Sequence, residues 1–410
     1  MKNATPARVL VGLVILASAS ASGCGFFRRL AGNDTISLEK ADVRSMAVDL
    51  RKEQKTICPR EPVQMAVFAE IVLEGDKSAK QVETWAGHDG VNKNDKLDFV
   101  DFAFHSEQGK FDRDGWFAPN PSVLATVGKE FEIKSVFRRR PDKFSFTTTY
   151  KPDYSCIKSG GGGASSGHAG ETGGGGSAGK TGAAGSTSSA GGPGGDGGPG
   201  SAGGSGGDGA AGPHLTAFAT LVKTPFYDRL VAIRISGDTE DFLLVPDGQP
   251  ITIVASGGGG GDGGGGGAGG SGGAGGGGAA AGGGGQGGRG GIGGPGGNGG
   301  NGGPGGTIDL VYDARFAELA GQIRLDVNGG RAGGAGVGGQ GGAAGRGGSG
   351  MTPSGSSGQT PPQAPKGAEG SEGSQGSGGS AGRSGAPGRA SAKPGDVKDK
   401  FSGTPEISLL

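Results

Sequence analysis

Glycine at a fixed spacing of three residues is the feature that most limits what this chain can fold into. Residues 286–306 read QGGRGGIGGPGGNGGNGGPGG, so two glycines separate successive other residues. Of the 410 residues 101 are glycine, and tracts of this kind hold too few apolar side chains to offset chain entropy by ordinary burial. The tracts must therefore gain order through their backbone, or remain unfolded.

A period of three matches the polyproline-II-type helix, which has three residues per turn, a rise of about 3.1 Å per residue and no internal hydrogen bonds. Between Asp262 and Pro304 nearly all non-glycine residues share one phase, which leaves two ridges of bare backbone. Bare ridges allow neighbouring helices to exchange backbone hydrogen bonds, because no Cβ holds them apart. We therefore expect side chains at Gly293 or Gly296 to separate the helices, and a change at Asn298 to be tolerated.

Three interpretations of the tracts compete. The first is a polyglycine-II-type bundle, and it suits the second tract best. The second is a collagen triple helix, because residues 367–390 (GAEGSEGSQGSGGSAGRSGAPGRA) resemble bacterial collagen-like sequences. The third is a disordered spacer, favoured at 349–366, where the period fails and proline accumulates. In rhythm the tracts are also similar to the glycine-rich arrays of mycobacterial surface proteins and phage tail-tip adhesins.

The sequence outside the tracts predicts a mainly β fold, partly disordered. Alternating apolar residues in VQMAVFAEIVL (63–73), EFEIKSVF (130–137) and KFSFTTTY (143–150), separated by turn-rich stretches, indicate a β-sandwich-like N-terminal domain. Two β islands follow among the glycine tracts. The expected segments are a signal peptide (1–23), a lipidated tether (24–35), the β domain (36–158), a glycine tract (159–213), an island (214–255), the strictly periodic tract (256–306), a second island (307–328), a collagen-like tail (329–396) and a C-terminal tail (397–410).

The two islands share a weak internal repeat. Residues 221–235 (LVKTPFYDRLVAIRI) align with 310–325 (LVYDARFAELAGQIRL), and ITIVASGG (251–258) aligns with IRLDVNGG (323–330). Each unit would consist of a strand, a turn, a strand and a glycine tract. Chance similarity between β segments is the alternative.

The N-terminus has the features of an export signal. Lys2 and Arg8 precede the apolar run VLVGLVILA (9–17), which is too short to span a bilayer. The following Ala21-Ser22-Gly23-Cys24 resembles the lipobox of bacterial surface lipoproteins, with Ala21 where that family usually has leucine. The resemblance implies lipidation of Cys24, a membrane partner and, because Gly25 is not aspartate, an outer-membrane or surface location. Simple cleavage after Ala21, giving a periplasmic or secreted protein, is the alternative.

If Cys24 carries lipid, two cysteines remain. Cys58 precedes an early predicted strand and Cys156 follows a late one, and an even pair in an exported protein suggests a disulfide. Two free thiols are the alternative. A bond between them would join the ends of the N-terminal β domain.

No motif indicates catalysis, and we expect no catalytic, cofactor-binding or metal-binding residue. The acidic stretch 89–101 and Asp112 with Asp114 are compatible with calcium ligands but lack the EF-hand spacing, and GGSAGKTG (175–182) lacks the strand and helix of a phosphate loop. The basic turn VFRRRPDKF (136–144) would suit anionic glycans or simply be a solvated turn, and Trp85 and Trp116 would stack on sugars or lie in the core.

The charges balance at 39 acidic and 39 basic residues, which indicates no nucleic-acid partner. The sequence thus predicts a non-catalytic surface lipoprotein with a structural or adhesive role, envelope or extracellular matrix components as partners, and self-association through the glycine tracts. A cation- or glycan-binding module in the N-terminal β domain is the alternative.

Overall fold

The computed structural model describes residues 35–51, 54–85, 96–185, 189–279, 282–351 and 363–410. The mainly β fold class is confirmed over these ranges. The α-helices described are four residues long: α1 (Val123–Thr126), α2 (Leu319–Gln322) and α3 (Lys398–Phe401). Within the same ranges no helix has the length and apolar character needed to cross a membrane.

The N-terminal domain contains two facing sheets. Its strands are β1 (Thr35–Ile36), β2 (Asp42–Leu50), β3 (Thr56–Ile57), β4 (Val63–Val72), β5 (Lys80–Glu83), β6 (Lys96–Leu97), β7 (Phe102–His105), β8 (Gly109–Phe111), β9 (Trp116–Pro119), β10 (Phe131–Phe137) and β11 (Ser145–Pro152). One sheet has the order β1-β6-β5-β4-β9-β8 with β2 also on β4, and the other has the order β3-β11-β10-β7. Val67 of the first sheet and Phe137 of the second share one buried cluster, as a sandwich requires.

A second sandwich is assembled from segments that are far apart in sequence. Its strands are β12 (Ser159–Gly161), β13 (His214–Lys223), β14 (Leu230–Gly237), β15 (Asp241–Pro246), β16 (Ile251–Val254), β17 (Thr307–Asp313), β18 (Ile323–Asp326), β19 (Arg389–Gly395) and β20 (Ser408–Leu409). The smaller sheet has the parallel order β12-β16-β18. The larger sheet has the order β15-β14-β13-β17-β19 with β20 on β13, and β13, β17 and β19 are parallel.

In the second sandwich, each of the six parallel strands is connected to a glycine-rich segment, which either follows the strand or precedes it. We call these segments glycine helices 1 to 6, and they comprise residues 162–185, 191–212, 257–278, 284–306, 328–349 and 365–388. Helices 1, 3 and 5 leave from β12, β16 and β18, whereas helices 2, 4 and 6 return into β13, β17 and β19. Because each sheet holds its three strands side by side, the helices form two layers of three.

Backbone hydrogen bonds at every third residue join the six helices. Within a layer the neighbours are parallel, and the N–H of Gly170 donates to the carbonyl of Asp262 at 2.7 Å. Between layers they are antiparallel: Gly264 donates to Gly204 at 2.8 Å and accepts from Gly297 at 2.8 Å. This period is that of polyglycine II, and it supplies the partners that such a helix cannot provide internally.

The strand register and the helix register are the same. His214 of β13 lies opposite Thr307 of β17, and the side chains of this pair meet across a separation of 93 residues. The same separation of 93 joins Asp208 of helix 2 to Asn301 of helix 4. The separation of 82 between β17 and β19 likewise persists between helices 4 and 6. The sandwich therefore sets the alignment of the whole bundle.

The glycines of the bundle are required for their missing Cβ, since the glycines with positive φ in the described ranges all lie outside the six helices. A Cβ at Gly293 would lie 1.9 Å from the carbonyl oxygen of Gly339, and one at Gly296 would lie 2.1 Å from that of Gly336. The residues of the third phase, such as Asn298, are exposed. The predicted packing, with two bare ridges inward and one ridge outward, is confirmed.

The collagen-like expectation for the end of the chain is wrong, and the segment after it is folded. The tail at 329–396 is not a collagen triple helix, because helices 5 and 6 pair with helices 3 and 4, and 389–395 form β19. The C-terminal tail at 397–410 is part of the second sandwich: Phe401 is 2 % exposed and β20 pairs with β13. Of the predicted spacer at 349–366, residues 352–362 lie outside the described ranges.

The internal repeat is present in part. Ile251 and Ile323 are direct neighbours in the register of β16 and β18, as the alignment of 251–258 with 323–330 implies. The alignment of 221–235 with 310–325 equates β14 with β18, and these strands are not equivalent. β14 pairs antiparallel with β13, whereas β18 lies in the opposite sheet. The structural repeat is a strand, two glycine helices and a returning strand.

Candidate functional site

The broad faces of the glycine-helix bundle are regular surfaces formed by the outward ridges of the helices. Their exposed ridges carry small or short polar side chains, with occasional long ones. The outward residues of helices 3 and 4 include Asp262, Ala268, Ser271, Ala274, Gln286, Arg289, Ile292, Pro295, Asn298, Asn301 and Pro304. Ile292 and Val337 are the most exposed large apolar residues on the helices, at 57 % and 73 %.

Carboxylate and amide side chains on these ridges bind backbone N–H groups of the adjacent helix. The N–H of Asn301 donates to Asp208 Oδ1 at 2.6 Å, and Asn301 Oδ1 in turn accepts from the N–H of Arg383 at 2.9 Å. Asn298 Oδ1 accepts from both the N–H and the hydroxyl of Ser380. These outward amides take no part in the backbone lattice, so the side chains supply the partner they lack. The side chain of Asn298 therefore has a hydrogen-bonding role that its outward position did not predict.

The two halves of the chain are linked covalently and by contacts. Cys58 and Cys156 form the expected disulfide, with Cα atoms 6.1 Å apart. The hydroxyl of Tyr227 donates to the carbonyl of Pro152 at 2.7 Å. Tyr154 is buried in the core of the second sandwich rather than of the first, and that burial raises the pKa of its hydroxyl. The disulfide therefore fixes the N-terminal domain against the base of the bundle.

Among the remaining sequence-predicted positions, Cys24 lies outside the described residues, and so do positions 89–95 of the acidic stretch. The acidic residues that are described have structural partners. Asp98 accepts from the N–H of Val100, Asp101 pairs with Arg139 at 3.2 Å, and Asp112 accepts from the N–H groups of Asp114 and Trp116. In the described part of the chain no group of three potential metal ligands comes together.

The basic turn at 136–144 is bound to its own domain. Arg138 donates to the carbonyl of Phe102 at 2.8 Å, and Lys143 lies 5.0 Å from the ring centre of Phe144. The two tryptophans differ: the guanidinium of Arg51 lies 4.1 Å from the ring centre of Trp85, whereas Trp116 is 39 % exposed. The structure thus favours the interpretation of 136–144 as a turn.

The most perturbed carboxylate has a structural role. Asp313 is 4 % exposed, and a hydrogen bond from Arg315 lowers its pKa to about 2. Its Oδ2 accepts from Thr220 at 2.8 Å and lies 2.7 Å from Arg315 Nη2. Another nitrogen of Arg315 donates to the carbonyl of Leu410, so this group holds the C-terminal segment on the larger sheet.

An open cleft of about 750 Å³ lies where the N-terminal domain meets the second sandwich. The loop and short helix around Ser122 and Leu124 form one wall, and β14 and β15, with Arg234 and Phe242, form the other. Nothing in the sequence marked this cleft, because its two walls are over 100 residues apart. Four charged side chains line it together with apolar ones: Arg60, Arg234, Glu240 and Asp241.

Comparisons with known proteins identify no relative: no family model, no curated protein and no solved structure matches this chain.

Proposed function

We propose that the protein is a non-catalytic, lipid-anchored protein of the outer membrane or cell surface, with a structural or adhesive role. The observation that carries the proposal is the backbone lattice of six glycine helices rooted in a disulfide-linked β base. Helix 3 spans residues 257–278, so at about 3.1 Å per residue the bundle extends roughly 70 Å from the sandwich. A rigid slab of this length is suited to keeping the far end of the bundle, and anything bound there, at a distance from the sandwich.

The order of the segments supports this arrangement. The N-terminal export signal and Cys24 precede the β domain, and that domain is bonded to the base of the bundle, opposite the ends where the helices turn. A lipid on Cys24 would therefore place the base towards the membrane. A disulfide also agrees with an oxidising compartment. Envelope or matrix components, or a second copy of the chain, are the partners we propose, and no nucleic acid.

Removal of the anchor tests the location. In wild-type cells we expect palmitate label on the mature protein and recovery with the membrane fraction, and in Cys24→Ala neither. Gly25→Asp is the matched variant, because it leaves the lipidated residue in place and, in a cell with two membranes, should move the protein to the inner one. Absence of label from the wild type would refute the lipoprotein assignment.

Loss of bundle order tests the role. Cells lacking the protein are complemented with wild type, with Gly266→Val or with Gly265→Ala, and their adhesion and envelope integrity are compared. A Cβ at Gly266 would lie 2.0 Å from a carbonyl oxygen, whereas one at Gly265 would meet nothing closer than 3.7 Å. We expect Gly266→Val alone to fail at equal protein level. Full complementation by Gly266→Val would show that the ordered bundle does not carry the function.

We do not propose a cation- or glycan-binding site on the acidic stretch 89–101 of the N-terminal domain. Half of that stretch lies outside the described residues, and the described half is engaged in turns and ion pairs.

A further inference from the structure

The cleft between the two domains contains a cationic side chain without a carboxylate partner. Arg234 lies on β14, opposite Phe242 of β15, and its guanidinium carbon is 5.6 Å from the centre of that ring. Its Nη2 donates to Thr404 at 3.2 Å. Its Nε is buried, and no acceptor for it exists among the described residues. Arg234 as a whole is half-buried, and no carboxylate among the described residues pairs with its charge. A cation in this setting favours an anionic partner, because its desolvation is otherwise uncompensated.

The other charges of the cleft do not neutralise Arg234. Arg60 reaches in from the N-terminal domain and pairs with Asp241 at 2.5 Å, which accounts for both of those charges. Glu240 lies at the exposed rim of the cleft and makes no ion pair in the described part of the chain. The cleft thus offers one cationic anchor beside carboxylates that can accept hydrogen bonds.

We propose that this cleft binds a monoanionic saccharide of the uronic-acid class, with its carboxylate on Arg234. A carboxylate matches the planar fork of a guanidinium. Neighbouring carboxylates disfavour a dianion such as phosphate but accept hydrogen bonds from sugar hydroxyls. The ring face would lie against Leu124, which is 40 % exposed on the wall opposite Arg234.

An extended peptide fits the same cleft less well. Strand addition to β15 would require free backbone groups at its edge. At Phe242 both groups are already engaged, because the N–H donates to Asp241 Oδ1 at 2.8 Å and the carbonyl accepts from Arg60 at 3.4 Å. The engaged backbone of β15 favours a ligand that contacts only side chains of the protein.

Contacts already join the two sides of the cleft. Arg60 spans them through its ion pair with Asp241, and the disulfide between Cys58 and Cys156 links the same two domains. Val123, next to Ser122 in the cleft wall, is 1 % exposed and belongs to the core of the second sandwich. Binding therefore requires little ordering of the protein. The proposal is independent of membrane anchoring and of the role of the bundle.

The test is a titration of the purified, disulfide-bonded protein, followed by NMR or calorimetry. The probes are methyl β-D-glucuronide and its neutral counterpart methyl β-D-glucoside. We expect saturable binding of the glucuronide, at least about tenfold tighter than that of the glucoside, as a hydrogen-bonded ion pair contributes. Arg234→Gln should abolish this preference, whereas Arg289→Gln, on an exposed ridge of the bundle, should leave it unchanged.

Two further arms keep the result decisive. If Arg234→Gln fails to fold, Leu124→Trp provides a second variant that narrows the cleft from an exposed position in the other domain, and it should weaken glucuronide binding at least about tenfold. Acetate and inorganic phosphate are titrated alongside. Equal affinity for acetate or phosphate would reduce the cleft to an unselective anion site and refute the saccharide assignment, as would absence of glucuronide binding.

Discussion

Three consecutive glycines in helix 3 allow the packing of the bundle to be tested by single methyl groups. A Cβ on Gly264 would lie 1.9 Å from the carbonyl oxygen of Glu171, and one on Gly266 would lie 2.0 Å from that of Gly294. A Cβ on Gly265 meets its nearest atom, Val337 Cγ2, at 3.7 Å. The alanine variants therefore differ in one respect, which is the ridge on which the methyl group lies.

The expected magnitude follows from these distances. Ordinary contact begins at 3.4 Å, so Gly264→Ala requires helix 3 to move about 1.5 Å from helix 1. A hydrogen bond of 2.8 Å, such as that from Gly173 to Gly265, does not survive such a shift. Loss of about three such bonds, at roughly 1 kcal/mol each, exceeds the 0.4–1 kcal/mol or so that alanine gains by restricting the unfolded chain. We expect Gly264→Ala and Gly266→Ala to destabilise by about 2 kcal/mol, and Gly265→Ala to be neutral or slightly stabilising.

Amide hydrogen exchange read by mass spectrometry is the appropriate assay, because it localises the effect within a chain of two sandwiches and a bundle. The wild type should protect both amides of each inward pair along 257–278, because both donate to neighbouring helices, and Gly264→Ala should lose protection there and in the facing helix. Thermal unfolding gives the accompanying shift. Equal behaviour of Gly264→Ala and Gly265→Ala, or exchange of the wild-type tract at the rate of an unstructured peptide, would refute the packing argument.

Three further outcomes are expected. Peptide mapping without reductant should recover Cys58 linked to Cys156, and removal of this bond, which closes a separation of 98 residues, should cost on the order of 4–5 kcal/mol; two free thiols in protein from the native envelope would contradict it. Asn298→Ala should speed the exchange of the Ser380 N–H and lower the free energy of unfolding by about 1 kcal/mol. Asn298→Asp keeps the acceptor and should protect this N–H as the wild type does. Equal exchange in both variants would rule out the side-chain bond. Because the pKa of Asp313 falls from 3.8 to about 2 on folding, its carboxylate stabilises the fold above pH 4. About 2 kcal/mol of the free energy of unfolding should be lost as the pH falls to 2. An Asp313→Asn variant that shows the same loss would refute this.

The sequence by itself determined the local geometry of the glycine tracts. Three residues per turn is a property of the polyproline-II backbone, so the phase shared by Asp262 and Asn298 identifies the outward ridge without knowledge of any neighbour. The alternation in 63–73 and 130–137 likewise identifies strands, because side chains on a strand alternate between two faces. The disulfide between Cys58 and Cys156 could be expected from a predicted export signal and an even cysteine pair.

The partners of each helix were decided only by the tertiary structure. A bare glycine ridge pairs equally well with any other, so nothing in the tracts specifies two layers of three. The order β12-β16-β18 and the register of His214 with Thr307 supply that choice from outside the tracts. The same holds for the burial of Phe401 and for the cleft that Arg234 and Arg60 both line, because contacts between distant segments depend on the packing of the whole sandwich and leave no period in the sequence.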